Sequence, residues 1–233
     1  MQKLSEKNRY IGLLLLIISA MSFLILADSI LSSGGGLSAE RIPALSYFTI
    51  QSNIITLTWF ICLVFYLFSN ERLLKTAVHP NVTAIVTTYI LVTGVIYWLV
   101  LVPIFFEAGA DNSWLFTPKN IWNHTLTPFT SIVMFFFARE NNPVPKPKPR
   151  LPLFFLYPAF YIAFGLYYAL NGQYLYPMFN PELLGGWLFV GLSLLVIVLL
   201  FTILYLFMLK IFKNNGVSSR ENSGHKTIKN RGD

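Results

Sequence analysis

The sequence predicts an all-α fold, a polytopic membrane protein built as a bundle of six transmembrane helices with both termini in the cytoplasm. Of the 233 residues, 55% are apolar and only 12% are charged. Six apolar stretches approach the roughly 20 residues that a helix needs to cross about 30 Å of hydrocarbon. Basic residues also fall mainly on one side if these stretches cross in turn. No alternation of period two interrupts the stretches, which argues against a membrane barrel.

The predicted spans are, in order, 10–31, 45–69, 82–106, 120–137, 153–170 and 187–209. The first follows Lys3, Lys7 and Arg9, as the apolar part of a signal peptide would. It continues from Ile11 to Ala27, about 17 residues, whereas the apolar part of a signal peptide usually has 7 to 15. We therefore expect this first stretch to be retained as a helix.

The connectors between the spans are short and distinct in composition. Segment 32–36 is rich in glycine and predicts a flexible turn. Segment 141–152 alternates proline with basic residues and predicts a stiff extended connector. Segment 171–186 carries several aromatic residues, which suits the interface between membrane and water.

The distribution of Lys and Arg predicts the orientation of the bundle. Fifteen of the 17 lie in the first segment, alternate loops and the tail: Lys3, Lys7, Arg9, Arg72, Lys75, Arg139, Lys146, Lys148, Arg150, Lys210, Lys213, Arg220, Lys226, Lys229 and Arg231. The opposite side has only Arg41 and Lys119. Basic residues near span ends resist translocation, so the richer side is cytoplasmic. We expect a multi-pass protein of the cell (plasma) membrane.

Composition also limits the domain count and the ligands. Residues 1–212 form one membrane domain, and 213–233 form a disordered, basic, cytoplasmic tail. The net charge of +7 reflects insertion, because no nucleic-acid reader motif accompanies it. The single Cys62 and three histidines in separate segments predict neither a disulfide nor a metal site, and no cofactor is expected.

Polar residues inside the spans are the candidates for chemistry. In the second span, Thr49, Ser52, Asn53 and Thr56 have helical spacing and form one stripe. In the fourth span, His124 shares a face with Thr127 and Ser131. Both stripes begin near the non-cytoplasmic ends of their helices, where Asp28 and Glu107 also fall.

These separate segments predict a shared polar cavity in the outer half of the bilayer. Ionisable residues inside a membrane are costly unless paired or hydrated, which favours a functional site at Asn53, His124 and Asp28. The alternative is structural, because Ser, Thr and Asn also join membrane helices through hydrogen bonds of about 0.6 to 2 kcal/mol. For the Thr and Ser positions both explanations stay open.

One chemistry fits this set of residues. A neutral imidazole with a pKa near 6.5 can take the proton of a hydroxyl nucleophile at neutral pH. On this hypothesis Thr49 attacks an acyl carbonyl and His124 acts as the base. Asn53, Gln51 or Asn123 would donate to the oxyanion, with Ser52 beside them. Asp28 or Glu107 would orient the histidine.

Three runs of residues resemble a known family. They are residues 47–53 (Tyr-Phe-Thr-Ile-Gln-Ser-Asn), the pair Tyr157–Pro158, and residues 174–179 (Tyr-Leu-Tyr-Pro-Met-Phe). They are similar to the bacterial six-helix membrane proteins called the Pr6Pr family, which in turn resemble the eukaryotic androgen-induced membrane proteins, threonine-dependent hydrolases of fatty acid esters of hydroxy fatty acids. The resemblance implies a catalytic threonine early in the second span, at Thr49, and a catalytic histidine in the fourth.

The histidine match leaves two alternatives. The eukaryotic relatives carry Asn-His-x-x-His with the second histidine catalytic, whereas here Asn123 and His124 are followed by Thr127. Either His124 acts from a shifted position, or the activity has been lost. The sequence thus predicts a hydrolase of membrane lipids or fatty-acid esters, and the alternative function is a non-catalytic membrane protein that binds or transports a lipid or small solute.

Overall fold

A computed structural model describes residues 6–32, 43–69, 76–107, 113–141 and 147–228. In these ranges the α-helices are α1 Glu6–Ser32, α2 Phe48–Ser69, α3 Pro80–Ile96, α4 Val102–Glu107, α5 Pro118–Ile121, α6 Thr127–Asn141, α7 Leu151–Leu170, α8 Pro181–Leu184 and α9 Trp187–Ile228. Two π-helical segments, Tyr97–Leu101 and Trp122–Leu126, join α3 to α4 and α5 to α6. No strand occurs in the described ranges, so the all-α prediction is confirmed.

Five helices of the described chain are long and apolar enough to cross a membrane. They are Asn8–Leu31, Phe48–Phe68, Pro80–Phe106, Leu151–Leu170 and Trp187–Phe212. Five of the six predicted spans therefore correspond to helices of membrane-spanning length and composition. The remaining one, predicted at 120–137, lies in a continuous helical stretch from Pro118 to Asn141. Its first half is rich in Asn, His and Thr, which lowers its mean hydropathy.

Helix α3 is the central helix of the bundle, packed against α2, α6 and α9. Most of its residues are buried, from Pro80 to Gly94. It contributes Ala84, Tyr89 and Val92 to a core completed by aromatic residues of α7 and α9. Helix α3 also carries four buried threonines: Thr83, Thr87, Thr88 and Thr93. The hydroxyls of Thr83 and Thr93 donate to backbone carbonyls, and those of Thr87 and Thr88 have no hydrogen-bond partner among the described residues.

Local sequence signals set the starts of three helices. Helices α3, α5 and α8 each begin with proline at the first helical position, where its missing N–H costs nothing. The residue before each proline is extended, as expected, and its side chain accepts a backbone N–H. At α3 this residue is His79, whose Nδ1 accepts the Asn81 N–H at 3.2 Å. Burial, with Arg150 as a second cause, lowers the pKa of His79.

The two segments predicted to be cytoplasmic and irregular differ from each other. Residues 147–150 have no regular secondary structure, as the alternating prolines predict. Helix α9, in contrast, continues to Ile228, into the segment 213–233 that was predicted to be disordered. Extending an existing helix adds a hydrogen bond for each residue fixed, which explains how a polar segment can follow an apolar span as helix.

Candidate functional site

Two π-helical segments bring a tyrosine and a histidine into contact in the described part of the bundle. The rings of Tyr97 and His124 are stacked, with centroids 3.9 Å apart and planes inclined by 9°. The Tyr97 hydroxyl donates to the backbone carbonyl of Leu115, and the imidazole also interacts with the backbone of Thr93. Single π turns inside helices are often found at functional sites.

The wider π turn changes which residues of the predicted fourth span face inward. Asn123 and His124 are adjacent in sequence, yet they are only 3% and 7% exposed. Thr127 and Ser131, predicted to share the His124 face, are also buried. The predicted stripe is therefore confirmed as buried, and the π turn adds Asn123 to it.

Close packing of α3 against this π turn depends on Gly94. A Cβ at this position would lie 2.9 Å from the backbone oxygen of His124 and 3.3 Å from the Pro128 ring. The first distance is shorter than real Cβ contacts allow, so no other residue fits without moving the turn that carries His124.

In the α2 stripe Ser52, Asn53 and Thr56 are buried and Thr49 is half-buried, and the stripe connects three helical segments. Asn53 Nδ2 donates to the Thr49 carbonyl at 2.8 Å and to the Asn123 carbonyl at 3.3 Å. The Ser52 hydroxyl lies 2.8 Å from the Thr93 hydroxyl on α3. Thr56 donates back to the Ser52 carbonyl on its own helix. The stripe thus stabilises the contacts of α2 with α3 and with the π turn.

Thr49, the predicted nucleophile, is held by a tyrosine from the connector between α7 and α8. Its Oγ1 lies 3.1 Å from the Tyr176 hydroxyl oxygen, which also accepts the Thr49 backbone N–H at 3.2 Å. Burial raises the pKa of Tyr176, and the hydrogen bond from Thr49 opposes part of that rise. Tyr176 is therefore a neutral phenol at any ordinary pH, with a proton that can be donated to Thr49.

A cavity of about 690 Å³ brings Thr49, Asn123 and His124 onto common walls. Residues of the connectors, such as Tyr47 and Trp114, complete it, so it lies at the end of the bundle where these connectors meet. Its volume falls in the range of about 300 to 1,000 Å³ that is usual for small-molecule sites.

Two buried polar atoms of the cavity residues have no hydrogen-bond partner. They are Asn123 Oδ1 and His124 Nδ1. Leaving a buried polar atom unpaired costs about 1 to 3 kcal/mol. Both atoms therefore keep an unused capacity to accept a hydrogen bond, on residues that line the cavity.

Four predicted site residues, Gln51, Ser52, Asn53 and Asp28, are not among the residues that line this cavity. The Gln51 amide is occupied elsewhere, since its Nε2 donates to the Leu45 carbonyl at 2.7 Å and its Oε1 accepts from Tyr157 at 2.8 Å. Ser52 is occupied by its contact with α3.

Asp28 forms an ion pair with Lys119, with 2.7 Å between Oδ2 and Nζ, and its side chain is 64% exposed. The suggestion that Asp28 orients His124 therefore has no support in the geometry. The Glu107 side chain, the other acid suggested for this role, lies outside the described residues.

Other residues of the site were missed by the sequence reasoning. Tyr97 and Tyr176 contact the two predicted catalytic residues directly, and Gly94 permits the position of His124. Tyr176 lies in one of the runs that carried the family resemblance, which was a usable signal. Nothing in the local pattern marked Tyr97 or Gly94.

The described residues offer little for a metal ion, because no group of three His, Cys, Asp or Glu side chains lies close enough to bind one. Comparison with protein-family models, with curated proteins and with solved structures gave no match to this chain.

Proposed function

We propose that this membrane protein hydrolyses lipid or fatty-acid esters, with Thr49 as nucleophile and His124 as base. The observation that supports the proposal is the common cavity, which is lined by both Thr49 and His124, a histidine whose Nδ1 has no hydrogen-bond partner in the described part of the chain. The resemblance of this chain to the Pr6Pr family and to the eukaryotic fatty acid ester hydrolases is part of the same proposal.

The proposed reaction has two steps, acylation of Thr49 and hydrolysis of the acyl-threonine. Thr49 Oγ1 attacks the ester carbonyl carbon as its proton passes to His124, and the alcohol leaves with that proton. Water then attacks the acyl-threonine ester with help from the same imidazole, releasing the fatty acid and restoring the hydroxyl. A Tyr176 phenol that donates to Thr49 Oγ1 leaves the threonine proton free for transfer.

Orientation in the membrane belongs to the proposal as well. We propose six spans in the plasma membrane, the fourth formed by the stretch from Pro118 to Asn141, with both termini cytoplasmic. Arg139, Lys148 and Arg150 lie near helix ends opposite to those that line the cavity, and Lys210 lies near the matching end of the apolar part of α9. By the positive-inside rule this puts the cavity toward the outer surface.

A second function has its own support. The Thr49 hydroxyl contacts Tyr176, and the His124 ring is stacked on Tyr97 and buried. These contacts suit a cavity that binds a lipid or small solute without reacting with it. The two functions differ in whether Thr49 forms a covalent bond.

Labelling of the purified protein with a fluorophosphonate tests this difference. The parent should be labelled at Thr49, and Thr49→Ala and His124→Phe should lose the label, while Thr49→Ser should keep it. His124→Phe keeps an aromatic ring that can stack on Tyr97 but removes the proposed base. Thr58→Ala is the matched control, because Thr58 lies on the same helix and is exposed. A parent that stays unlabelled while it binds a fatty ester would favour the binding function.

A further inference from the structure

A second, narrower cavity meets the first at Thr49. Thr49 and Tyr176 line both cavities. The narrow cavity, which we call the slot, measures about 60 Å³. Its other walls come from α3, α7, α9 and the connector before α8, and they include Val92, Ile162, Phe179, Ile197, Val198 and Phe201. The slot therefore extends from Thr49, the predicted nucleophile, into the space between these helices.

The polar groups of the slot are already paired with one another or with backbone. The Tyr161 hydroxyl donates to the Ser46 carbonyl at 3.0 Å and accepts the Phe48 N–H at 2.9 Å. The Thr93 hydroxyl pairs with Ser52. What the slot presents to an occupant is therefore almost wholly apolar, in contrast to the wide cavity with its unpartnered Asn123 and His124 atoms.

The size of the slot suits a thin, flexible chain. About 10 to 15 Å³ of such volume holds one water molecule, so 60 Å³ holds about four to six atoms of similar size in a row. A ring system or a branched group needs more room than this, whereas a few successive methylene groups of an alkyl chain fit.

We propose that the slot is the subsite for the unbranched acyl chain of the ester, whose carbonyl lies at Thr49 and whose alcohol portion occupies the wide cavity. This inference rests on the proposed hydrolase function. It narrows the substrate class to esters of straight-chain fatty acids with a larger or more polar alcohol. The basis is that Thr49, which would carry the acyl group, is one of three residues, with Leu101 and Tyr176, that line both cavities.

Labelling rates with a methyl and an octyl fluorophosphonate test the proposal. In the parent the octyl reagent should label Thr49 faster, because the first carbons of its chain enter the slot. Val198→Phe fills the slot and should cut the octyl rate by about tenfold, the scale of a small apolar-pocket effect, while the methyl rate stays unchanged. Val196→Phe is the matched control, since Val196 lies on the same helix and is 64% exposed.

The outcomes separate this inference from the function on which it rests. Equal loss of octyl labelling in both phenylalanine variants, or none in either, would overturn the slot assignment. If Val198→Phe is labelled by neither reagent, the smaller change Val198→Met decides, with the same expected direction.

If the parent itself is never labelled, the hydrolase proposal fails, and a diazirine-bearing fatty acid methyl ester then tests the slot in Thr49→Val. Crosslinks at Ile162, Ile197 or Val198 support the slot, and crosslinks confined to outward residues such as Val196 overturn it.

Discussion

Gly94→Ala should damage the site more than it damages the fold. Gly94 lies on the buried face of α3, and the added methyl group would point at the backbone oxygen of His124. The helix itself favours alanine over glycine by about 1 kcal/mol. Any loss must therefore come from the contact between α3 and the π turn.

The distances give the size of the effect. A Cβ would lie 2.9 Å from the oxygen, while ordinary contacts begin at 3.4 Å, so the turn must move by about half an ångström. Overpacking of this kind costs about 1 to 3 kcal/mol of stability. A displacement of 1 Å at a catalytic group can cost about a hundredfold in rate, so half of that predicts a loss of about tenfold in fluorophosphonate labelling of Thr49.

Two measurements, with Gly191→Ala as control, test the reasoning. Gly191 lies in α9 with open space around it, so alanine there should leave labelling unchanged. In Gly94→Ala, labelling should fall, and carbethoxylation of His124 by diethyl pyrocarbonate should rise as the ring moves from its stack on Tyr97. A variant with unchanged labelling and an unreactive His124 would show that the turn does not depend on this contact.

The remaining predictions concern the surroundings of the site. The pKa of His79 is lowered in the fold, so the stability it contributes is complete above about pH 6.5 and should fall as the pH drops below that value. Thermal unfolding should show this slope in the parent and a smaller one in His79→Asn, which keeps a cap for α3 without titrating. Asp28→Asn should leave labelling of Thr49 unchanged, because Asp28 pairs with Lys119; a large loss would restore its role at the site. Gly165→Ala should slow the octyl reagent selectively, because its Cβ would lie 2.4 Å from the Phe179 ring, which lines the slot.

Sequence patterns were sufficient for the class of fold because hydropathy and length are properties of single segments. Five predicted spans correspond to helices of membrane-spanning length. The stretch from Pro118 to Asn141 shows the limit of this reasoning. Its polar first half is explained by its neighbours, which bury Asn123 and His124, and no window average over one segment contains that information.

The details of the site could be predicted only in part, because they depend on helix geometry. The α-helical spacing correctly grouped His124 with Thr127 and Ser131 on a buried face. It could not place Asn123 there, because the π turn breaks the spacing of 3.6 residues. Helical spacing also could not predict the stacking of His124 on Tyr97, because this contact joins two π turns from different parts of the chain.

The hydrogen bonds also distinguish, within the two predicted polar stripes, the residues that join helices from those that could take part in chemistry. Ser52 and Thr56 are fully buried and donate to carbonyls of their own helix, and Ser52 also bonds to α3, as residues that join helices do. Thr49 differs, because its hydroxyl is paired with a phenol at the junction of two cavities. Asn123 and His124 differ too, since each keeps an unpaired atom. The Thr127 hydroxyl of the same stripe is also unpaired among the described residues, but Thr127 does not line the cavity. The capacity for chemistry is therefore concentrated in Thr49, Asn123 and His124, which do line it.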